Sequence, residues 1–295
     1  MCLRKWLREK VAIPREYHLL GKRSAFMMWQ KIVAFIKRDF SITASYRLSF
    51  FFQFFGILFS VVTFYFIAKL FGKAAVPYLA SYGGDYFSFV LIGIAFSDYL
   101  GVGLSSFAGT IRQGQMLGTF EAMLVTPTRV HAIVLFSSIW QFLLTSVRVL
   151  VYILLGVFFF GVNMTRPNIP AALLILILTI LAFSSLGIIS ASFIMVFKRG
   201  DPLNWVMGSF STLFGGVLFP ITILPDWLQK ISYFLPITYS LRAMRHALLQ
   251  SYSFRALGFD ILMLTLFSAV LLPLGIYAFG VGVRRAKKDG SLTHY

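Results

Sequence analysis

An all-α integral membrane fold is the architecture this sequence predicts: six transmembrane helices, an N-terminal interfacial amphipathic helix, and an outer re-entrant helical hairpin between spans five and six. Three observations predict it: the composition, apolar runs long enough to cross a bilayer, and the placement of Lys and Arg around those runs. The 295 residues are 58% hydrophobic and 13% charged, include 33 Phe, and have a positive mean hydropathy. A soluble domain is about 45–50% apolar and about 25% charged, so bilayer rather than water is the solvent for most of this chain.

Residues 1–47 form a basic cytosolic segment. It lacks the apolar core and small-residue cleavage site of a signal peptide, so it is expected to stay attached and inside. Within it, Met28, Ile32, Phe35, Ile36 and Phe40 recur at three- and four-residue spacings, with Lys31, Lys37, Arg38 and Asp39 between them. That pattern describes a helix lying in the membrane interface; the competing reading, a soluble cytosolic domain, has few residues to build a core from.

Spans need roughly 20 apolar residues each. Residues 48–71, 87–108, 133–160, 171–197, 205–221 and 257–283 qualify, the fifth being short and Gly-rich. They make up a membrane domain over 48–283, followed by a basic cytosolic tail, 284–295.

The net charge of +17 raises the question of a nucleic-acid partner, and the positions of the charges answer it. Of the 27 Lys and Arg, only Lys69, Lys73, Arg166, Lys230, Arg242, Arg245 and Arg255 fall on the outer side, and Arg148 lies within a span. The rest are assigned to the cytosolic side, which is the positive-inside asymmetry and puts both termini in the cytosol. The charge is an orientation signal, with a second effect of attraction to anionic lipid of about 1 kcal/mol per residue; no nucleic-acid partner is expected.

Two spans carry patterned small or polar residues. In the second, Gly93, Ser97, Gly101, Ser105 and Gly109 recur every four residues, a seam that predicts close approach of another helix. In the third, Ser138, Gln141, Thr145, Arg148 and Tyr152 share one face, which must look into protein or water. A cation at mid-membrane costs about 2.5–3.5 kcal/mol, and Asp98, at matching depth in the antiparallel second span, is the candidate partner for Arg148. Backbone carbonyls or a dimer partner are the other ways to satisfy it.

After the fifth span, "FPITILPDWLQKISYFLPITYSLRAMRHALLQ" is too apolar for a free loop and too interrupted by Pro220, Pro225 and Pro236 for one spanning helix. Pro225 opens a short helix through about Tyr233, and Pro236 forces Leu235 out of helical geometry before a second one from about Thr238. A re-entrant hairpin carrying Trp227, Tyr239, Arg242 and Arg245 satisfies such backbone at membrane depth. Arg242 and Arg245, one turn apart, either contact an anionic group or snorkel to the interface.

Chemistry-bearing motifs are lacking. There is no GxxxxGK[ST] loop for ATP, the four histidines His18, His131, His246 and His294 are scattered without HExxH or clustered carboxylates, and no metal site is expected. Cys2 is the only cysteine, so an intrachain disulfide is impossible. No nucleophile–base arrangement and no internal repeat is visible, so the chain is not expected to be an enzyme.

The connector "GTFEAMLVTPTRV" is more detailed than a linker requires. Thr119 can cap a short helix, Glu121 suits its positive N-terminal end, and Pro127 stops it. Capping by itself is sufficient to explain Glu121.

This connector, the basic amphipathic N-terminal helix, six spans and the Pro-interrupted outer segment together resemble the type-2 ABC exporter permeases. The resemblance is nearest to the bacterial branch that includes the daunorubicin-resistance and nodulation lipo-oligosaccharide export permeases, whose Gly-Thr-x-Glu and Pro-Leu/Ile-Thr-Tyr kinds of motif correspond to positions 118–121 and 236–239. It implies a permease subunit of the plasma (inner) membrane, pairing with a second permease chain as homo- or heterodimer. It also implies two copies of a separate cytosolic ATPase that binds ATP and Mg, with no cofactor in this chain. Carried over by residue, Gly118, Thr119, Glu121, Thr126 and Pro127 are the ATPase-coupling positions. Phe210, Phe214 and Phe219, beside Gly215 and Gly216, are candidate pathway walls, although core packing is an equal explanation for them. The expected cargo is a hydrophobic drug or antibiotic, with an amphipathic glycolipid or polysaccharide as the alternative. A self-sufficient secondary transporter or channel is the competing function.

Overall fold

The structure is a computed structural model that describes residues 15–116, 130–164, 166–197 and 201–288. Every regular element among them is helical. Helix α1 (Arg15–Ser45) ends at Tyr46, whose φ of −98° and ψ of 56° turn the chain into α2 (Arg47–Ala75). A 3-10 helix, Val76–Tyr82, leads through Gly83 and Gly84, both at positive φ, into α3 (Tyr86–Met116). There follow α4 (Val130–Phe160), α5 (Ile169–Phe197), α6 (Pro202–Phe214), a 3-10 turn at Ile221–Ile223, α7 (Asp226–Ser232), α8 (Pro236–Leu249) and α9 (Gly258–Lys288).

Five of these helices are long and apolar enough to cross a membrane: Arg47–Gly72, Tyr86–Gln113, Leu135–Phe160, Ile169–Met195 and Gly258–Arg285. At 1.5 Å per residue they are about 40 Å long, more than the roughly 30 Å of hydrocarbon. The run at 205–221 differs from the other five. Its helix, α6, has 13 residues, about 20 Å, and stops at Gly215 because Gly216 takes φ 79°. A side chain on Gly215 would meet the Ser211 carbonyl oxygen at 2.3 Å and Ile237 at 2.4 Å. Apolar composition continues past this break, but helix does not.

The start of α6 is built by its own sequence. Asp201 is the N-cap, its carboxylate accepting from the Asn204 N–H at 3.0 Å, and Pro202 occupies the first helical position, where a missing N–H costs nothing. The Ser190 hydroxyl also donates to Asp201, fastening the start of α6 to α5.

Helix α1 lies along the beginning of α4. Phe35 meets Phe136 edge-on at 5.9 Å and Phe40 meets Trp140 at 5.6 Å. The Trp140 indole donates to Thr43 Oγ1 at 3.0 Å, and Arg38 Nη2 donates to Ser137 Oγ at 3.1 Å. Part of the apolar face of the amphipathic helix is therefore spent on a spanning helix, while Met28 and Trp29 stay exposed.

Burial separates core from periphery. In α3, 72% of the spanning window is buried, against 11% in α2, so α3 is the hub and α2 an outer helix showing Phe51, Phe52, Phe55 and Phe59. Helix α5 packs between α3 and α9, and small residues on it make room for both. A Cβ at Gly187 would lie 1.8 Å from the Gly103 carbonyl oxygen, one at Gly103 would lie 2.6 Å from the Phe183 Cβ, and one at Gly275 of α9 would lie 3.1 Å from the Ser185 carbonyl oxygen. The seam expected along α3 is only partly the packed one. Gly93 is tightly engaged, but a Cβ at Gly101 or Gly109 would meet nothing within 4 Å, and Ser105 is exposed. The close contact lies instead on the Gly103 face, and the four-residue repeat does not mark it.

Gly187→Ala is expected to lower stability by about 1–3 kcal/mol, because a backbone carbonyl cannot yield as a side chain does. Gly101→Ala should leave it unchanged, a contrast measurable by thermal unfolding of the purified chain in detergent.

Candidate functional site

The most densely bonded polar cluster gathers where the C-terminal end of α6, the α2–α3 connection and α8 meet. Pro236 opens α8 at its first position after an extended Leu235. Thr238 Oγ1 donates to the Ser232 carbonyl at 2.7 Å and Tyr239 Oη to the Tyr233 carbonyl at 2.9 Å, which fixes the angle between α7 and α8. Helix α8 is buried along most of its length, with Tyr239 inside, while Pro225 and Trp227 at the start of the pair stay exposed.

Arg245 on α8 is 2% exposed. Its Nε donates to the Phe89 carbonyl on α3 at 3.1 Å, Nη1 to Gly216 at 2.8 Å and Nη2 to Val217 at 3.0 Å. The guanidinium also lies 3.4 Å from the Phe89 ring centroid. It does not snorkel: it supplies donors to carbonyls that the break in α6 leaves without helical partners. Gly93 is required beside it, since a Cβ there would sit 2.1 Å from the Val217 oxygen and 2.7 Å from Nη2.

Arg242, one turn earlier, pairs with Asp260 at the start of α9, donating from Nε at 2.9 Å and from Nη2 to the same carboxylate oxygen. Sequence reasoning missed Asp260. Its signal was present: it is the one carboxylate between Asp226 and Asp289, in the first turn of the last span.

Next along α8, His246 is stacked between Tyr82 at 5.1 Å and Tyr252 at 4.6 Å, and its Nδ1 faces Gln250 Oε1 at 2.7 Å. The stack ties the α2–α3 connection to the segment before α9. Burial, the largest cause, holds the imidazole below its ordinary pKa, Arg242 and Arg245 act in the same direction, and the Gln250 hydrogen bond and Asp260 oppose them.

A second polar group lies midway along α3 and α4. Arg148 Nη1 is 3.9 Å from Asp98 Oδ2, and Nη2 donates to Thr145 Oγ1 at 2.9 Å. The first distance is an ion pair rather than a hydrogen bond. The Arg148 Nε is buried with no hydrogen-bond partner among the described residues. Tyr99 Oη donates to Ser146 Oγ at 2.8 Å nearby. Of the polar residues sharing this face of α4, Ser138, Thr145 and Tyr152 are buried and Gln141 is exposed.

Phe210 and Phe214 stack edge-on at 5.5 Å on α6, with Phe210 exposed; Phe214 and, past the break, Phe219 are half-buried. The connector positions Gly118, Thr119, Glu121, Thr126 and Pro127 lie outside the described residues.

The family model described as ABC-2 type transporter matches residues 30–249, three quarters of the chain. The chain belongs to the ABC-2 type transporter family. No curated protein matches it. An ABC-2 chain is the permease subunit of an ABC transporter, a multi-pass membrane component whose family implies an ATPase partner. The match runs from within α1 to the last residue of α8, so it takes in both polar clusters of this ABC-2 permease apart from Gln250, Tyr252 and Asp260.

Two outcomes follow for the cluster around α8. Asp260→Asn should cost about 1–3 kcal/mol, less than breaking a fully buried pair because Arg242 keeps part of its exposure; thermal unfolding reads this directly. Because His246 has a lowered folded pKa, the unfolded chain binds more protons just below the ordinary histidine value of about 6.5. Stability should therefore fall as pH drops through 6.5, and His246→Phe, which keeps the stack, should make that fall smaller.

Proposed function

We propose that this ABC-2 permease forms the outward translocation pathway of an ATP-driven exporter of the bacterial inner membrane. It belongs to the branch typified by the daunorubicin-resistance and nodulation-export permeases. The family match over residues 30–249 carries this reading, because it runs from within the amphipathic helix through the connector and the Pro-interrupted outer segment in one order. Two permease chains, identical or different, bind two copies of a cytosolic ATPase that holds ATP and Mg.

Six crossings remain the topology that the charge distribution supports. Helix α6 and the irregular residues after it together make the fifth crossing, and the α7–α8 pair forms the re-entrant hairpin at the outer side. Both termini are then cytosolic. Cys2, the only cysteine, reports this: a membrane-impermeant maleimide should label it in inside-out vesicles and not in intact spheroplasts. A cysteine placed at Tyr295 in a Cys2→Ser background should behave the same way, and opposite labelling of the two ends would establish an odd number of crossings.

Coupling is assigned to Gly118, Thr119, Glu121, Thr126 and Pro127 as a short docking helix between α3 and α4. Alternating access follows if that helix contacts the ATPase differently in its two nucleotide states, since only differential contact shifts a conformational equilibrium. Phe210, Phe214 and Phe219 form part of the pathway wall, an aromatic surface suited to a hydrophobic drug or antibiotic and, as the alternative cargo, to an amphipathic glycolipid or polysaccharide. The Asp98 and Arg148 pair holds α3 against α4 while those helices move.

The chain should copurify with a soluble ATPase, and Glu121→Arg should abolish its effect on ATP hydrolysis without lowering the Tm of the permease. Transport by the purified chain alone in liposomes under an ion gradient would overturn the exporter reading. Asp98→Asn and Arg148→Gln should each reduce transport several-fold; full tolerance of both would remove the pair from the mechanism.

A further inference from the structure

Three aromatic rings form a column at one end of the bundle. His246, half-buried on α8, has its ring centroid 5.1 Å from that of Tyr82 with the planes 18° apart, and 4.6 Å from that of Tyr252 with the planes 8° apart. Tyr82 closes the 3-10 helix Val76–Tyr82 of the α2–α3 connection, and Tyr252 belongs to the segment before α9. The two tyrosines are held differently. Tyr252 is fastened by its backbone as well, its N–H donating to the His246 carbonyl at 3.2 Å and its carbonyl accepting from Asn168 Nδ2 at 2.8 Å. Tyr82 meets α8 through its ring, on the imidazole and on the Arg245 guanidinium 5.9 Å from the ring centroid.

The charged groups that act on His246 are unequal in sign. Arg242 and Arg245 come from α8 and Asp260 from α9, while Tyr82 and Tyr252 are neutral in the range where a histidine titrates. Two cations against one carboxylate already leave a positive surplus, and a proton on the imidazole enlarges it. Neither arginine is free to withdraw. Arg245 is fixed by three carbonyls and Arg242 by Asp260. Burial, the largest cause, and both arginines hold the imidazole below its ordinary pKa, and the hydrogen bond to Gln250 and the Asp260 charge oppose them without reversing the direction. The half-buried ring stays within reach of water, so it is the member of the cluster that gains a proton and has to move.

From this geometry we propose that the ring column is a proton-sensitive clasp: protonation of His246 parts it from Tyr82 and frees the α2–α3 connection from α8, while the backbone bonds of Tyr252 hold the other side. The parted state binds the proton more tightly than the stacked one. Closure is therefore fully present above the ordinary histidine value of about 6.5 and is lost as pH falls below it. The effect is local, because the helices are packed by contacts that do not titrate, such as that of Gly103 with Gly187. Which compartment is sensed rests on the orientation proposed above, which puts this end outside; the clasp itself does not.

Amide hydrogen exchange of the full chain in detergent, followed by mass spectrometry at about pH 5.5 and about pH 7.5, a unit either side of the ordinary histidine value, tests it. With rates corrected for the intrinsic effect of pH, residues 76–86 should exchange several-fold faster in acid, up to about tenfold for each unit by which the stacked pKa lies below the parted one. The middle of α3 and of α5 should exchange equally at both. His246→Phe keeps a ring in the column and should remove the acid-dependent rise. Gln250→Ala, which deletes the acceptor that favours the charged ring, should move the midpoint of the rise to lower pH. Equal exchange of residues 76–86 at both pH values, or a rise that persists in His246→Phe, would overturn the clasp. So would slower exchange in acid, the result expected if attraction of a charged imidazole to the tyrosine faces wins, and so would a rise shared by α3 and α5, which marks general loosening. An error in the proposed orientation would move the sensed pH to the other compartment and leave these exchange results unchanged.

Discussion

Buried backbone cut off from water has to find its hydrogen bonds within the protein, and the break in α6 is where this fold meets that constraint most sharply. Helix ends leave carbonyls without partners, and an unsatisfied buried group costs about 1–3 kcal/mol. Here the Gly216 and Val217 oxygens are taken up by one side chain, Arg245, which also bonds the Phe89 carbonyl of α3. The neighbouring features follow from that arrangement. Helix α8 has to be buried to bring the guanidinium in, Gly93 has to lack a side chain, and Phe89 has to offer its ring face to the cation.

The same helix, α3, joins the two polar regions. Its first turns hold Phe89 and Gly93 against Arg245, and its middle holds Asp98 near Arg148. Helix α5 is locked to it by the close approach of Gly103 and Gly187, and α4 carries α1 through Phe136, Ser137 and Trp140. A displacement of the amphipathic helix therefore has a packed route through α4 and α3 to the end of α6. If a separate ATPase drives the permease as proposed, such rigid contacts are a physical requirement, because force applied to a loosely packed bundle would dissipate as side-chain rearrangement.

Much of this is legible in the sequence. Spanning helices leave a signal of uninterrupted apolarity that packing does not rewrite, and the apolar runs of α2, α3, α4, α5 and α9 can be read from it. Pro225 and Pro236 act locally on their own φ and on the preceding residue, so the start of α7 and the break before α8 can be read from two residues. The run at 205–221 reads as one segment because hydropathy counts Gly215 and Gly216 as neutral, whereas the helix ends where Gly216 turns to positive φ. The roles of Arg242 and Arg245 are not legible, since snorkelling and burial share one sequence pattern and only the position of Asp260 and of three carbonyls separates them.

What the sequence determined by itself is therefore its solvent, its helical elements and the family they belong to, because each rests on composition, period or adjacent residues. Tertiary structure alone decided which glycines are contacts, with Gly103 and Gly187 engaged and Gly101 and Gly109 open. It also decided that Arg245 bonds backbone, that Arg242 pairs with a carboxylate 18 residues away, and that His246 is stacked between two tyrosines. Those outcomes depend on how far each helix is rotated about its axis when it packs, and rotation is set by all the neighbours at once rather than by any stretch of sequence.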